Sequence, residues 1–496
     1  MAFLQRQMNR GSVSTGYEID HSISFDKNTN ESLYRTPSSS GNQRTFTFSA
    51  WVKFSHINTG VSDWSTLYSA GDYTSTGPSF RIGHHTNNSL QVSFYTNSAY
   101  TGYYRTDALF RDTNAWYHFV CAIDTTQGTD TNRVKIYVNG VQAPTTATVS
   151  HISQNYDTGV NTAIQHELGL FTSGGNPTAV ASEYIAETHL IDGQALAPTE
   201  FGEFDEDSGI WKPKKYTGSY GTNGVYLDYA DAGDLGDDES GNGNDYTEYN
   251  MDASDQATDT PTNNFATLNP VFAYSASSGA NPIITEGATV LTTQNSGYWH
   301  NSVSTIPVTS GKWYFEAQPG TSSTHVTAIG YGDEQNLYTW GVANSHVGAS
   351  STKSNAYLGS DTAGSSYGRI FPADSSPSTR VNYTSSNIIG VAIDADNGYV
   401  YWAKDNTWIN SGDPTSGSSG TGGYAVPSGT GTNGILIPSI AAYHHTSLGK
   451  MFINFGGYTT ISISSSASDA NGYGTFEYAP PTGYYALCGK NLAEYG

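Results

Sequence analysis

Cysteine and positive charge are scarce in this sequence of 496 residues. Its two cysteines, Cys121 and Cys488, lie far apart in the chain, and no disulfide is expected between them. Only 21 Lys and Arg residues stand against 44 Asp and Glu, which gives a formal net charge of −23. Phosphate backbones and anionic lipids attract cations, so this charge argues against nucleic acid and against anionic membrane surfaces as partners. Solubility is the simplest explanation of the acidity.

Long apolar segments are absent as well. No segment approaches the ~20 apolar residues that a membrane helix needs, so membrane insertion is not expected. The first residues, MAFLQRQMNRGSVSTGY, contain Arg6 and Arg10 but no apolar stretch of ~7–15 residues, which argues against a secretory signal. We therefore expect synthesis in a cytoplasm and, for a role outside the cell, release by a route such as lysis.

Glycine and tyrosine are abundant instead, with 54 and 36 copies. Short segments of alternating apolar and polar residues recur between turns rich in Gly, Ser, Thr and Asn, which is typical of strands with one buried face. Residues 45–54, TFTFSAWVKF, form a long alternation of this kind, with Phe at 46, 48 and 54 on one side. In residues 388–403 an Asp-Asn-Gly turn separates two such runs and predicts a hairpin. The sequence therefore predicts an all-β protein.

A polar segment at 221–270 predicts a division of the chain. It begins as a strand near Val225 and passes into a run of Asp, Asn, Gly and Ser that offers little apolar surface to bury. Structureless loops of this length are uncommon inside a compact domain. We predict two β-sandwich (jelly-roll) domains in tandem, with these bounds: an N-terminal lead at 1–12, a first sandwich at 13–250, a linker at 251–284 and a second sandwich at 285–496.

The first predicted sandwich resembles the concanavalin-like, laminin-G-type jelly rolls. The resemblance covers roughly residues 17–250 and is carried by the motifs FTFSAWVKF, WYHFVCAIDTT, RVKIYVNGV and EYIAETHLIDGQALAP. In that family the second and third motifs form adjacent core strands. Residues 217–247, TGSYGTNGVYLDYADAGDLGDDESGNGNDYT, resemble a segment common in phage and marine-virus structural proteins, which implies a virion.

The second predicted sandwich resembles a SPRY domain. The motifs GKWYFE, IIGVAIDADNGYVYWAKDNTWI, ILIPSIAAY, KMFINFG and FEYAPPTGYYAL follow one another in the order that the family shows, over about residues 285–490. SPRY domains are β-sandwiches that present peptide or partner sites on their end loops. The resemblance implies the same arrangement for this half of the chain.

No catalytic residue is assigned. The cluster EFDEDSG places carboxyls at Glu203, Asp205, Glu206 and Asp207, whereas laminarinase-type glycosidases on the concanavalin fold use the spacing E-x-D-x-x-E, and position 208 is Ser. Retaining hydrolysis needs two carboxyls about 5–5.5 Å apart on a rigid frame. We therefore expect that the protein is not an enzyme, and the sequence assigns it no cofactor with certainty. A polysaccharide depolymerase is the alternative.

The acidic run is a candidate binding site for calcium. Calcium takes six to eight oxygen ligands from flexible loops, and domains of the laminin-G type often bind calcium near a sandwich rim. Asx turns use the same residues to bond backbone groups, so turn chemistry alone is the alternative. The candidate calcium ligands are Asp231, Asp234, Asp237, Asp238, Asn242 and Asp245.

Aromatic residues near predicted loops are the candidate ligand-binding residues. Flat rings can stack on sugar faces or on partner side chains, although packing within the sandwich is the simpler role for any one ring. The candidates are Tyr103, Tyr104, Tyr338, Trp340, Trp402 and Trp408.

Together these features predict a virion structural protein on the particle exterior, as a phage tail fibre, spike or decoration. Its role would be host attachment through many weak contacts between sandwich loops and a host surface glycan or receptor. Its partners would be other virion proteins and further copies of itself. The sequence has no coiled-coil heptads or collagen repeats, so a trimer would have to form through sandwich faces or another protein. A purely architectural virion component is the remaining alternative.

Overall fold

The computed structural model describes residues 16–58, 63–146, 148–275, 280–294, 297–320, 326–333, 345–349, 354–360, 368–371, 381–427, 434–444 and 448–496. The chain divides into two compact units at the junction of Asn263 and Asn264. The described part of each unit is built almost entirely from β-strands, which confirms the predicted all-β class.

The described residues of the N-terminal unit contain twenty strands in chain order. Their bounds are β1 (Ser22–Ser24), β2 (Ser32–Arg35), β3 (Thr45–Phe54), β4 (Ser65–Ala70), β5 (Pro78–His84), β6 (Leu90–Thr96), β7 (Ala99–Arg105), β8 (Trp116–Asp124), β9 (Val134–Val138), β10 (Val141–Gln142), β11 (Thr148–Ser150), β12 (His166–Leu168), β13 (Thr172–Ser173), β14 (Asn176–Pro177), β15 (Glu183–Asp192), β16 (Gly202–Phe204), β17 (Trp211–Pro213), β18 (Val225–Leu227), β19 (Thr247–Tyr249) and β20 (Gln256–Ala257).

Two eight-stranded sheets of this unit pack face to face. Sheet 1 has the order β10-β9-β8-β3-β15-β1-β20, with β18 also paired to β15, and sheet 2 has the order β11-β7-β6-β5-β4-β12-β2-β19. The predicted alternation in β3 is confirmed, because the apolar side chains on its inner face all lie in the core between the sheets: Phe46, Phe48, Ala50, Val52 and Phe54. The β9–β10 hairpin turns at Asn139 and Gly140, whose φ angles of 47° and 80° explain the Asn-Gly pair.

The outer face of sheet 1 is covered by residues 194–224. Rings from this segment, among them Phe201, Trp211 and Tyr216, pack on the outward side chains of the sheet. Those outward side chains include His118 and Lys53, which are 1% and 0% exposed. We call this surface the covered face.

The C-terminal unit contains fifteen strands and a short C-terminal helix in its described residues. The bounds are β21 (Tyr274–Ser275), β22 (Ile283–Thr285), β23 (Val290–Thr292), β24 (Tyr298–Val303), β25 (Lys312–Pro319), β26 (Val326–Gly332), β27 (Asn355–Ser360), β28 (Arg369–Phe371), β29 (Ile389–Asp394), β30 (Tyr399–Lys404), β31 (Thr407–Trp408), β32 (Tyr424–Ala425), β33 (Ile437–His444), β34 (Lys450–Asn454), β35 (Tyr485–Ala486) and α1 (Gly489–Tyr495).

These strands also form two large sheets. One has the order β21-β24-β33-β26-β27-β28, and the other has the order β22-β23-β34-β25-β29-β30-β31, with β32 paired to β30 and β35 paired in parallel to β25. The predicted hairpin is confirmed as β29 and β30, which pair from Ile389 opposite Lys404 to Asp394 opposite Tyr399.

The predicted linker at 251–284 is wrong. β20 pairs with β1, and Asp259 forms a buried ion pair with Lys53 at 2.6 Å, so residues up to 263 complete the N-terminal sandwich. Residues after 263 belong to the other unit, where Phe265 forms a bridge with Cys488. Polar composition misled the prediction, because strand pairing and a buried ion pair need few apolar residues.

The acidic run also buries more apolar surface than predicted. Tyr229, Leu235 and Tyr246 are at most 3% exposed and lie in the core of the N-terminal unit. They are separated by Asp, Asn and Gly residues that form turns, so the run reaches the core at isolated points. An alternation of period two does not detect such points.

Candidate functional site

The outer face of sheet 2 differs from the covered face because large side chains remain at its surface. In β5 and β6 the residues Phe80, Ile82 and Val92 point into the core. Since successive side chains of a strand point to opposite sides, Arg81 and Tyr95 point outward. We call the outward set around them the cationic–aromatic face, which comprises Trp64, Arg81, His85, Gln91, Tyr95, Tyr100, Tyr103 and Arg105.

Arg81 is the centre of this face. Its guanidinium carbon lies 3.9 Å from the ring centroid of Trp64, 5.1 Å from that of Phe171 and 5.7 Å from that of Tyr95. A cation over aromatic faces is attracted by their quadrupoles, and Arg is the cation most often found there. The rings therefore hold the guanidinium in one place.

The same guanidinium lacks polar partners among the residues that the structure describes. Arg81 is 6% exposed, yet it makes no hydrogen bond and no ion pair with any residue that the structure describes. Its Nε is buried and unpaired, as is the hydroxyl of Ser79 two residues earlier on the same side of β5. Nη1 and Nη2 are not buried, so a ligand can reach them. A nearly buried charge without a counter-charge is costly, which makes this position unusual for a purely structural residue.

Tyrosines of β7 form the outer layer of the face. Tyr100 is 47% exposed, and its ring lies 4.7 Å from that of Tyr95 and 5.2 Å from that of Tyr103 between centroids. Beneath them, Gln91 accepts a hydrogen bond of 2.7 Å from Nε of Arg105. The result is a platform of rings beside a fixed amide and a partly exposed guanidinium.

Positive charge is concentrated on this face although the protein is acidic overall. Burial, together with the nearby charges of Arg105 and Arg81, lowers the pKa of His85 to about 4 against the opposing effect of a hydrogen bond with Asn87. His85 also meets the Trp64 ring edge-on, with centroids 4.3 Å apart. No ion pair joins Arg81 or Arg105 to a carboxylate among the described residues.

One of the two predicted ligand-binding aromatics in the N-terminal unit lies on this face. Tyr103 is partly exposed there. Tyr104 is 1% exposed because it points into the core, where its hydroxyl accepts the amide hydrogen of Ile152, so its selection as an exposed ring is wrong. Trp402 is likewise wrong, since its ring is fully buried and its Nε1 donates to the carbonyl of Ile329.

The remaining aromatic predictions fall in the C-terminal part of the chain. Trp408 is partly exposed and belongs to the other unit, where it packs with buried rings around Tyr401. Tyr338 and Trp340 lie outside the described residues.

The predicted calcium ligands are engaged in turn hydrogen bonds. Both carboxylate oxygens of Asp238 accept backbone amides, from Tyr226 and Ser240 on one oxygen and from Asn244 on the other. Asp245 accepts the amide of Asp238. Similar turns involve the amide of Asn242 and the carboxylate of Asp231, and Asp234 and Asp237 lie in the same run. Over the described ranges, no group of three or more His, Cys, Asp or Glu side chains has an arrangement that could hold a metal ion. Calcium binding by this run stays a prediction.

A cleft of about 630 Å³ lies elsewhere on the N-terminal unit and contains two carboxyls. Burial raises the pKa of Glu167, whose oxygens accept from Gln165 at 2.6 Å and Thr172 at 3.1 Å. The pKa of Asp72 is lowered to about 2, because hydrogen bonds from Thr74 and two glycine amides outweigh its partial burial. The cleft therefore contains two carboxyls whose pKa values are shifted in opposite directions.

The sequence analysis missed the central residue of the face. In PSFRIGH the apolar residues Phe80 and Ile82 mark the inner side of β5, and the same period places Arg81 on the outer side. A charged residue on the outer side of a strand is normally exposed to solvent, and only the structure shows that aromatic rings surround Arg81. Trp64 and His85 precede or follow strands, so their approach to Arg81 depends on loop conformation.

Part of the N-terminal unit matches the model of a known protein superfamily. Residues 28–172 match the model of the Concanavalin A-like lectin/glucanases superfamily, Laminin_G_3. The whole cationic–aromatic face lies within the matched residues. No curated protein matches the chain at a significant level.

Several solved structures are similar to this chain at low identity and low TM-score. They include the heptameric SAP-like pentraxin from Limulus polyphemus (16% identity, 37% of this chain and 80% of that chain, TM-score 0.27). The SPRY domain of human HERC1 is another (15% identity, 38% and 96%, TM-score 0.26). Mouse laminin α1 chain domains LG4-5 match more of the chain (10% identity, 88% and 92%, TM-score 0.31). Together with the sheets, the family match confirms the predicted concanavalin-like first sandwich.

No helix in the described part of the chain is long and apolar enough to cross a membrane.

Proposed function

We propose that the protein binds carbohydrate through the cationic–aromatic face of its N-terminal sandwich. The observation that carries the proposal is a row of tyrosine rings at the surface of sheet 2, beside a nearly buried guanidinium that has no polar partner among the described residues. The superfamily whose model matches residues 28–172 includes lectins by its own description. Binding sites of this kind combine a mainly aromatic lining with a few fixed polar groups.

The chemistry of the face suits a sugar ring. Tyr100 and Tyr103 offer flat apolar surfaces on which the C–H faces of a pyranose can stack. The hydroxyls of a sugar need donors and acceptors around its edge, and the phenol groups of Tyr100 and Tyr103 and the partly exposed guanidinium of Arg105 can supply them, while the buried Gln91 holds Nε of Arg105 in place at 2.7 Å. Because strands hold these groups, little ordering is needed on binding.

We further propose that this binding serves attachment of a virion to glycans or a receptor on a host surface, without catalysis. The support is the resemblance of residues 217–247 to phage and marine-virus structural proteins. Weak single sites act strongly when many copies are displayed together, so assembly into a homo-oligomer with other virion proteins would raise the avidity. Gold labelling of this chain on purified particles tests it: label on the exterior supports attachment, and absence from particles contradicts it.

The binding test uses a pair of tyrosines matched in exposure. Tyr100 is 47% exposed on the face, and Tyr249 is 49% exposed on β19 at the far edge of the same sheet. The full chain is applied to an array of neutral and anionic glycans, and affinities for the hits are measured by calorimetry. Tyr100→Ala should weaken binding about 5-fold or more, which corresponds to about 1 kcal/mol of stacking. Tyr249→Ala should leave it unchanged. Equal affinities for wild type and Tyr100→Ala would place the site elsewhere.

A polysaccharide depolymerase is the second candidate, favoured by the cleft that contains Asp72 and Glu167. A carboxyl with raised pKa beside one with lowered pKa is the arrangement of an acid and a stabilising carboxylate in glycosidases. Release of reducing ends from a bound polysaccharide, abolished by Glu167→Gln, would establish it. Binding without any release would support the non-catalytic proposal.

A further inference from the structure

We propose that the ligand of the cationic–aromatic face is an anionic saccharide, whose carboxylate is bound by Arg81 and drawn in by Arg105. This inference rests on the proposed carbohydrate binding and names its substrate class. It concerns a uronic acid residue rather than a neutral sugar.

The first argument is the missing counter-charge. Arg81 is 6% exposed and has no carboxylate partner among the described residues, although the chain has more than twice as many acids as cations. Nearly buried charges in proteins are normally paired. A bound anion would supply the counter-charge that the guanidinium of Arg81 lacks among the described residues.

The second argument is the local sign of the charge. Arg81 and Arg105 both lie close enough to His85 to disfavour protonation of its imidazole. Burial lowers the pKa of Arg105, and its Nε already donates to Gln91. Two guanidiniums without a carboxylate partner among the described residues give this part of an acidic protein a local positive charge, which attracts an anion.

The third argument selects a carboxylate. Nε of Arg81 is buried, which leaves the end of the guanidinium, with Nη1 and Nη2, open to a ligand. Two parallel N–H donors match the two oxygens of a planar carboxylate. Trp64 stacks on the guanidinium at 3.9 Å and fixes its plane, and the adjacent Tyr95 and Tyr100 rings extend the platform for the sugar that carries the carboxylate. A sulfate ester can accept the same two donors, so the titrations include a sulfated oligosaccharide beside the oligogalacturonate.

The experiment compares two ligands that differ only in charge. The full chain is titrated with an oligogalacturonate and with its methyl ester, which has the same ring and shape but no anion. Wild type should bind the acid about 10- to 100-fold more tightly, the range for a hydrogen bond to a charged group. The difference should shrink with added salt, because exposed charges are screened.

Two variants assign the effect to Arg81. Arg81→Gln should reduce the affinity for the acid to that for the ester, and Arg81→Lys should restore part of the preference as a point charge. Arg44→Gln removes a guanidinium that is paired with Asp157 on the surface, and it should change neither affinity. Unfolding curves of all variants check that the sandwich is intact.

Each outcome decides the inference. A preference for the acid that disappears in Arg81→Gln supports it, whereas equal binding of acid and ester, or array hits confined to neutral sugars, overturns it and leaves the proposed function standing. A preference for a sulfated oligosaccharide over the oligogalacturonate overturns the choice of carboxylate. If no saccharide binds at all, the proposed function fails together with the inference.

Discussion

Each outer face of the N-terminal sandwich contains a buried cationic side chain, and the two cations differ in their polar partners. On the covered face, Lys53 is paired with Asp259 at 2.6 Å, and Nε1 of Trp116 donates to the other oxygen of the same carboxylate at 3.0 Å. On the cationic–aromatic face, Arg81 is almost as deeply buried among rings but has no polar partner in the described structure.

The difference separates a structural role from a binding role. Burying a charge is tolerated when it is paired and hydrogen-bonded, as Lys53 is, and such a group then stabilises the fold. An unpaired buried charge opposes folding, and its free donors are available to a ligand. The comparison therefore predicts large stability effects on the covered face and large binding effects on the other.

The largest expected effect comes from breaking the ion pair of the covered face. Asp259→Ala leaves the ammonium of Lys53 buried without its counter-charge, which should lower the free energy of unfolding of this unit by about 3–5 kcal/mol. Urea denaturation followed by tryptophan fluorescence measures it. The double variant Lys53→Met with Asp259→Leu replaces both charges by apolar groups and should recover most of the loss. An Asp259→Ala protein as stable as wild type would show that the pair contributes nothing.

The fate of particular residues shows what the sequence can and cannot predict here. The alternation in β3 was sufficient to place Phe46 and Phe54 in the core, because a period of two fixes which side each residue faces. Lys53 has the same periodic signature as Arg81, since both are cations on the outer side of a strand. Whether a partner exists depends on segments distant in sequence, Asp259 being 206 residues from Lys53. The fold class can therefore be predicted from local sequence patterns, whereas the binding site depends on contacts between residues that are distant in the sequence.

A second effect on the covered face concerns His118. Nε1 of Trp211 can only donate, so Nδ1 of His118 accepts its hydrogen bond at 3.0 Å and Nε2 carries the proton toward Oγ of Ser49 at 2.9 Å. With its Nε2 protonated, this imidazole cannot act as a base for Ser49. His118→Phe leaves the indole N–H unsatisfied and should cost about 1–3 kcal/mol at pH 7.

The pH dependence of that cost has a defined sign. Burial lowers the pKa of His118 to about 3, so below the ordinary value of about 6.5 the unfolded chain binds a proton that the folded protein excludes. Wild type should therefore lose stability relative to His118→Phe as the pH falls from 6.5 toward 3, by up to about 1.4 kcal/mol per pH unit. Denaturation curves at pH 7, 6 and 5 measure the difference. Parallel losses in both proteins would contradict a neutral buried imidazole.

On the cationic–aromatic face the expected stability effect is smaller. Arg81→Met keeps the length of the side chain and removes its charge, so the lost attraction to the Trp64 ring is offset by the removal of an unpaired buried cation. We expect the free energy of unfolding to change by less than about 1 kcal/mol in either direction. A loss comparable to that of Asp259→Ala in the same assay would mean that Arg81 has a structural partner and would remove the contrast between the faces.

The smallest expected effect is a pH dependence of binding on the same face. The groups that face His85 are the guanidiniums of Arg81 and Arg105, the ring of Trp64 and the amide of Asn87, and burial with these charges holds its pKa at about 4. A bound carboxylate favours the protonated imidazole and raises that pKa, so affinity for oligogalacturonate should rise as the pH falls from 7 to 5. A rise of one unit in the bound state would tighten binding about 2-fold at pH 5. His85→Gln should bind with a flat profile over the same range, during which the uronate stays ionised. If affinity falls with pH in both proteins alike, the anion is not held near His85, and its place at Arg81 is put in doubt.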